Sequence, residues 1–358
     1  LKFVGSPWSI RLASIFARLC TTTSSRISSG HAPLVGTMSN SEELVPFSRA
    51  TKITRLHSNV YSANLVSGWC IGSVPNGGYV ASVMLRAASL HLATRGQPDT
   101  ISAHFEYLNR TEIGPAIVVV DETKMGRNLS TVHVSLYQHD LLTSAPWFTS
   151  NSRKEVVGYF INTLLVAEKG LTLSTGWTMT PPIKPADFAL LSLGNDPHWV
   201  KRAKLNARAT SFARAHNNLE HYVPREGTRR GIADLWLRLK SGENFTNASL
   251  GYVADTYPTV VEAWRPERDE EQTPFRSNEM FWYPTLALNL DVKKALPEEG
   301  AEWLFIRSMA KVIRNGRLDL EVIILDQNGD VVALSTHVTM VLSAERNLKE
   351  RSHVTGKL

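Results

Sequence analysis

Residues 77 to 93 read GGYVASVMLRAASLHLA, and Arg86 is the only formally charged position among them. A surface helix would repeat a polar face every three to four residues; this stretch shows none and predicts a helix buried nearly all round. The glycines at its start leave first-turn amides unpaired and allow close approach of a ligand or another backbone. Two readings stay open from this stretch alone: recognition of an anion or carbonyl at the helix N-terminus, or a tight turn that packs a core helix. From Thr100 the pattern changes to alternation. ISAHFEYLNRTEIGPAIVVVDETKMGRNLSTVHVSLYQ (101–138) predicts three strands, broken at Gly114-Pro115 and Gly126-Arg127, and EVVGYFINTLLVAE (155–168) predicts a fourth.

The segment from Leu171 to about Arg208, with Pro181, Pro182 and Pro185, has no sustained period and reads as a connection. The same succession then returns. IADLWLRLK (232–240) reads as a strand, TNASLGYVADTYPTVVEAW (246–264) as a helix ended near Pro258, and PTLALNLDV (284–292) as a strand. Residues 301–342 carry further alternation with turns at Asn315-Gly316 and Asn328-Gly329. Gly126-Arg127 and Gly316-Arg317 each precede an alternating strand ending near a glutamine, Gln138 or Gln327, which marks an internal repeat. Turns this short cannot hold crossover helices, so the class is α+β, with a helix wrapped by an antiparallel sheet in each half. The expected divisions are a disordered leader (1–40), an N-terminal half (41–170), a linker (171–208), a C-terminal half (209–345) and a flexible tail (346–358).

Charge adds little to this picture. Of 39 basic residues four lie in 1–37, a segment with no acid, leaving 35 basic against 33 acidic residues in the body. A body this close to neutral argues against a nucleic-acid partner. Residues 1–37 are rich in Ser, Thr and Arg, with Trp8, Leu12, Ile15, Phe16 and Leu19 on one helical face, as in a mitochondrial transit peptide. MSNSEE from Met38 reads instead as an ordinary cytosolic start. The last residues, Gly356-Lys357-Leu358, resemble a peroxisomal Ser-Lys-Leu address, so cytoplasm, peroxisome and mitochondrion compete. Cys20 and Cys70 show no metal-ligand spacing and no reason to pair, the glycosylation sequons at Asn109, Asn128, Asn244 and Asn247 read as chance matches, and no run is long enough to span a membrane.

Several motifs imitate known chemistry. GWCIG (68–72) resembles a nucleophile elbow at Cys70, but Val74-Pro75 interrupts the required strand-to-helix passage. GNDPHWV (194–200) resembles part of a hydratase signature, but it is short and lies in the linker. No phosphate-binding glycine loop occurs, and neither a metal nor an organic cofactor is expected.

The order and spacing of NGGYVASVMLRAA, HFEYLNRTEIGP, GRNLSTVHVSLYQ, DLWLRL, LGYVADTYP and GDVVALSTHVTMVL resemble the type II acyl-CoA thioesterases and their thioesterase-like relatives, from about Asn64 to Leu342. The resemblance implies a double hotdog fold with one active site between the halves, an acyl-CoA substrate and the capacity to form homo-oligomers. It implies that Asp255 is the catalytic aspartate, orienting or deprotonating water, and that Thr285 stands at the catalytic threonine position. Ala287 stands where many relatives carry an acid. His337 falls where the family has glutamine; an imidazole can also hydrogen-bond water, but it titrates near neutrality. Asn76, Gly77, Gly78 and Tyr79 are expected against substrate, with the Gly77-Gly78 amides facing the thioester carbonyl. His104 is expected to line the acyl or pantetheine channel.

Overall fold

A computed structural model describes residues 44–203, 207–227, 229–257, 259–266 and 273–348. The leader with Cys20 and Met38, Pro258 and the terminal Gly356-Lys357-Leu358 lie outside the described residues.

The long apolar stretch forms α1 (Gly77–Ala93), capped by Asn76, whose side-chain oxygen accepts from the Tyr79 amide at 3.0 Å. Burial covers almost every face of it. The one charge, Arg86, reaches out to donate to the Ser48 carbonyl and the Thr51 hydroxyl. Around α1 the alternating segments form β1 (Val60–Leu65), β2 (Asp99–Tyr107), β3 (Gly114–Met125), β4 (Ser130–Gln138) and β5 (Arg153–Thr163). The second half supplies β6 (Leu219–Pro224), β7 (Ile232–Leu239), α2 (Leu250–Ala254), β8 (Thr285–Val292), β9 (Leu304–Met309), β10 (Arg317–Leu325) and β11 (Val331–Met340).

The repeat read from the sequence is a repeat of topology. The first half runs β1-β3-β4-β5-β2 and the second β7-β9-β10-β11-β8, every pair antiparallel. β2 and β8 then pair with each other, Phe105 opposite Leu288 and His104 opposite Asn289, so one sheet runs through both halves. This is the double hotdog, two helices held in the concave face of a single curved antiparallel sheet. Asn315 and Gly316 both take positive φ, 52° and 69°, as a two-residue hairpin turn between antiparallel strands requires.

The predicted helix over 246–264 is corrected. A single 3₁₀ turn (Asn247–Ser249) leads into the five residues of α2, and Asp255 is already non-helical at φ −101°, ψ 10°. A second 3₁₀ segment, Thr259–Trp264, follows. Tyr257 precedes a proline and is disfavoured from helical geometry, and the helix has ended three residues before it.

The connection carries structure of its own. Trp199–Lys201 adds a short strand beside β6. Met179, Leu191 and Trp199 pack with Trp236, Trp303 and Phe305 on the outer face of the second half. Buried Arg307 clamps Asp234 through two bonds of 2.7 Å and donates to the Pro181 carbonyl, fastening the connection down. The expected tail is likewise ordered at its start: Asn347 is fully buried, accepting from the Ser73 amide and donating to the Ile71 carbonyl. No helix of the described residues is long and apolar enough to cross a membrane.

Candidate active site

α1 and α2 cross at their glycines. A β-carbon on Gly78 would lie 2.5 Å from the Gly251 carbonyl oxygen and 2.7 Å from Asp255 Cβ. A β-carbon on Gly251 would lie 3.1 Å from Ala81. Only bare backbone allows so close a crossing, and it brings the end of α2 against the start of α1.

At that junction Asp255 is 4% exposed. Its Oδ2 accepts from the Gly78 amide at 2.8 Å and stands 3.5 Å from the Asn76 side-chain amide. Its Oδ1 accepts from the Thr285 hydroxyl at 2.7 Å. His337 Nδ1 lies 3.6 Å from the same Oδ1. A buried carboxylate needs such donors, and the positive end of α1 adds to them. The Tyr107 hydroxyl donates to the Gly77 carbonyl at 2.9 Å and closes the near side; burial pushes its pKa well up, and the Asp255 charge pushes it further.

Thr285 reaches Asp255 because β8 is irregular at its start: Thr285 pairs with Thr339, but Ala287 pairs with Val338. The extra residue, Leu286, turns outward and leaves Thr285 facing in. His337 faces in with Ser335 and Thr339 on alternate positions of β11.

Asp255, Thr285, His337, Asn76, Gly77 and Gly78 are therefore brought together. Two expected residues are not. Tyr79 is buried, donates to the Ala50 carbonyl and accepts from the Val66 amide, which ties α1 to the segment before β1. His104 stands on the opposite, outer face of β2, where it bonds Asn289 and faces Glu106. The alternation of β2 decides this, since its neighbours Ala103 and Phe105 point inward. A third expectation changes in kind: the Gly78 amide faces Asp255 and not a substrate carbonyl.

Sequence reading missed Tyr107, Ser335 and Thr339. The available signal was polar residues recurring every second position in STHVT, on the face where a strand would otherwise be apolar. It also missed how the two halves differ at this position. Gly78-Tyr79-Val80-Ala81 recurs as Gly251-Tyr252-Val253-Ala254, and the residue that follows is Ser82 in one half and Asp255 in the other. Ser82 accepts from the Tyr252 amide, as Asp255 accepts from Gly78, but brings no carboxylate. The sequence decoys are structural. Cys70 is buried and opens a two-residue strand directly after a 3₁₀ turn. Asp196 accepts the amides of Asp187, His198 and Trp199.

Two family models match the chain: the acyl-CoA thioesterase N-terminal domain over residues 65–151 and the acyl-CoA thioesterase C-terminal domain over residues 184–341. The chain is 43% identical over 330 residues to the thioesterase-like protein TwmA of Talaromyces wortmannii, covering 86% of this chain and 94% of that one. Among solved structures it is similar to a hot dog fold protein of unknown function from Alicyclobacillus acidocaldarius, with a TM-score of 0.60 and 15% identity over 83% of this chain and 98% of that one. It is also similar to the acyl-CoA thioesterase II TesB2 of Mycobacterium marinum, with a TM-score of 0.54 and 16% identity over 83% of this chain and 97% of that one.

Proposed function

The chain belongs to the acyl-CoA thioesterase family, and on that premise we propose that it hydrolyses an acyl-CoA to a free acid and CoA with water ordered at Asp255. The observation that carries this reading is a buried carboxylate held at the junction of the two halves by the Gly78 amide and the Thr285 hydroxyl. Those bonds fix the orientation of the carboxylate and leave it lone pairs that can accept a hydrogen from water. Water held there attacks the thioester carbonyl carbon, the carbonyl π pair moves to oxygen, and collapse of the adduct breaks the C–S bond. The Gly77 amide opens α1 and is the helix-end donor that remains for the developing oxyanion. Thr285 fixes the carboxylate, so its part is to hold the water's position.

Purified protein incubated with a panel of straight, branched and polar acyl-CoAs tests this by release of free thiol. Thiol release from at least one member supports the reading. Tight acyl-CoA binding with no thiol release from any member would replace it with an acyl-CoA-binding protein on the same scaffold.

A further inference from the structure

Ser335 has one hydroxyl proton, and it goes to the Asn289 carbonyl oxygen, which can only accept. Ser335 Oγ also lies 2.9 Å from His337 Nε2. With its proton committed, Oγ accepts there, so Nε2 carries the hydrogen. In the neutral ring Nδ1 then presents a lone pair. That atom is buried without a hydrogen-bond partner, 3.6 Å from Asp255 Oδ1. Two acceptors facing each other with no hydrogen between them repel, and a molecule bringing two hydrogens relieves both. The glutamine expected by resemblance could present a donor here; this imidazole, in this tautomer, cannot.

We propose that Ser335 is a positioning residue that fixes His337 with Nδ1 as an acceptor, and that Nδ1 takes the proton of the attacking water. This rests on the thioesterase reading and names where the proton goes. Water gives one hydrogen bond to Asp255 Oδ1 and one to Nδ1. As the new C–O bond forms, the O–H pair toward Nδ1 becomes the oxygen's and the proton moves to the imidazole. When the C–S bond breaks, its electron pair leaves with sulfur, and the imidazolium returns the proton to give the CoA thiol. Asp255 stays a carboxylate throughout: its oxygens already accept from Gly78 and Thr285, whereas Nδ1 holds the free lone pair.

Apolar side chains and one acid stand around this ring. Its register partners on the flanking strands are Leu288 and Leu320, and the acid facing it is Asp255. Tyr107 and Tyr252 also feel the Asp255 charge, and burial raises both hydroxyls above their ordinary range. His216 is pushed down to about 4 by burial, with Arg202 adding to that and Asp255 opposing it. A protonated Nδ1 cannot accept, so this step needs the ring with Nδ1 unprotonated.

The test joins a spectroscopic readout to kinetics. In protein labelled with ¹⁵N-histidine, the His337 signal, assigned by its loss in His337→Gln, is expected to show Nε2–H and an unprotonated Nδ1 at the pH of maximal turnover. Ser335→Ala should mix the tautomers and lower kcat about tenfold with little change in KM, and Ser335→Thr, which keeps the hydroxyl, should restore both. His337→Gln should lose the acid limb of the kcat profile. An imidazolium at the pH of maximal turnover, or an acid limb unchanged in His337→Gln, would overturn the proposal while thiol release still upholds the thioesterase reading. Absence of thiol release from every acyl-CoA in the wild type overturns both.

Discussion

Replacing Asp255 by asparagine keeps the side chain's volume but puts an NH₂ where one oxygen now accepts from Gly78 or Thr285. The charge that orients water and steadies a neighbouring imidazolium is lost with it. Turnover should fall by roughly 10²- to 10⁴-fold, as much as loss of a positioned acid or base, because the water and the imidazole that takes its proton both depend on this charge; KM should alter far less, measured by steady-state thiol release. Glu155 gives a second residue-scale prediction, about stability. Its carboxyl is buried beside Arg153, and burial pushes it up from 4.5 to about 7 against the Arg153 hydrogen bond. The folded protein then holds a proton that the unfolded chain has released, so stability present below about 4.5 is lost as pH rises through about 7. Urea midpoints should decline across that window, and Glu155→Gln should flatten the slope. Asp255, Thr285 and His337 were legible because resemblance fixes their places. Ser335 was not, because its meaning lies in a proton committed to a carbonyl on another strand.

Where α1 meets α2, a methyl group is enough to disturb both helices. Gly78→Ala would place carbon 2.5 Å from the Gly251 oxygen, which is backbone and cannot swing aside. We expect a stability loss of about 1–3 kcal/mol together with reduced activity, seen as a lower urea midpoint and slower thiol release. Slower thiol release at an unchanged urea midpoint, the outcome that a substrate-facing Gly78 would give, is not expected. Both opening readings of that glycine pair thus hold a part: the helix is packed at its start, and its amide does bind an anion, the protein's own. The strands were legible from period-two alternation and hairpin turns. α2 was not, because five helical residues bounded by 3₁₀ turns leave too short a period to separate from the residues that follow.

Across the whole molecule the repeat and antiparallel class could be read from the order of elements, but the packing of the connection could not. Its apolar residues have no period of their own and make sense only against Trp236, Trp303 and Phe305. Arg307 is the fastening, so Arg307→Ala leaves Asp234 and the Pro181 carbonyl without their donor and should cost about 3–5 kcal/mol, measured by denaturant unfolding. The pairing of β2 with β8 reaches further, into how the chain is made. The ribosome finishes β2 long before β8 exists, and until then Ala103 to Glu106 present an open row of amides and carbonyls with no strand to meet them. A nascent N-terminal half therefore waits with an adhesive edge, and on a crowded polysome the neighbouring chain offers the same edge. Pairing of two such edges would trap both chains, so the protein's yield depends on the time that β8 takes to arrive.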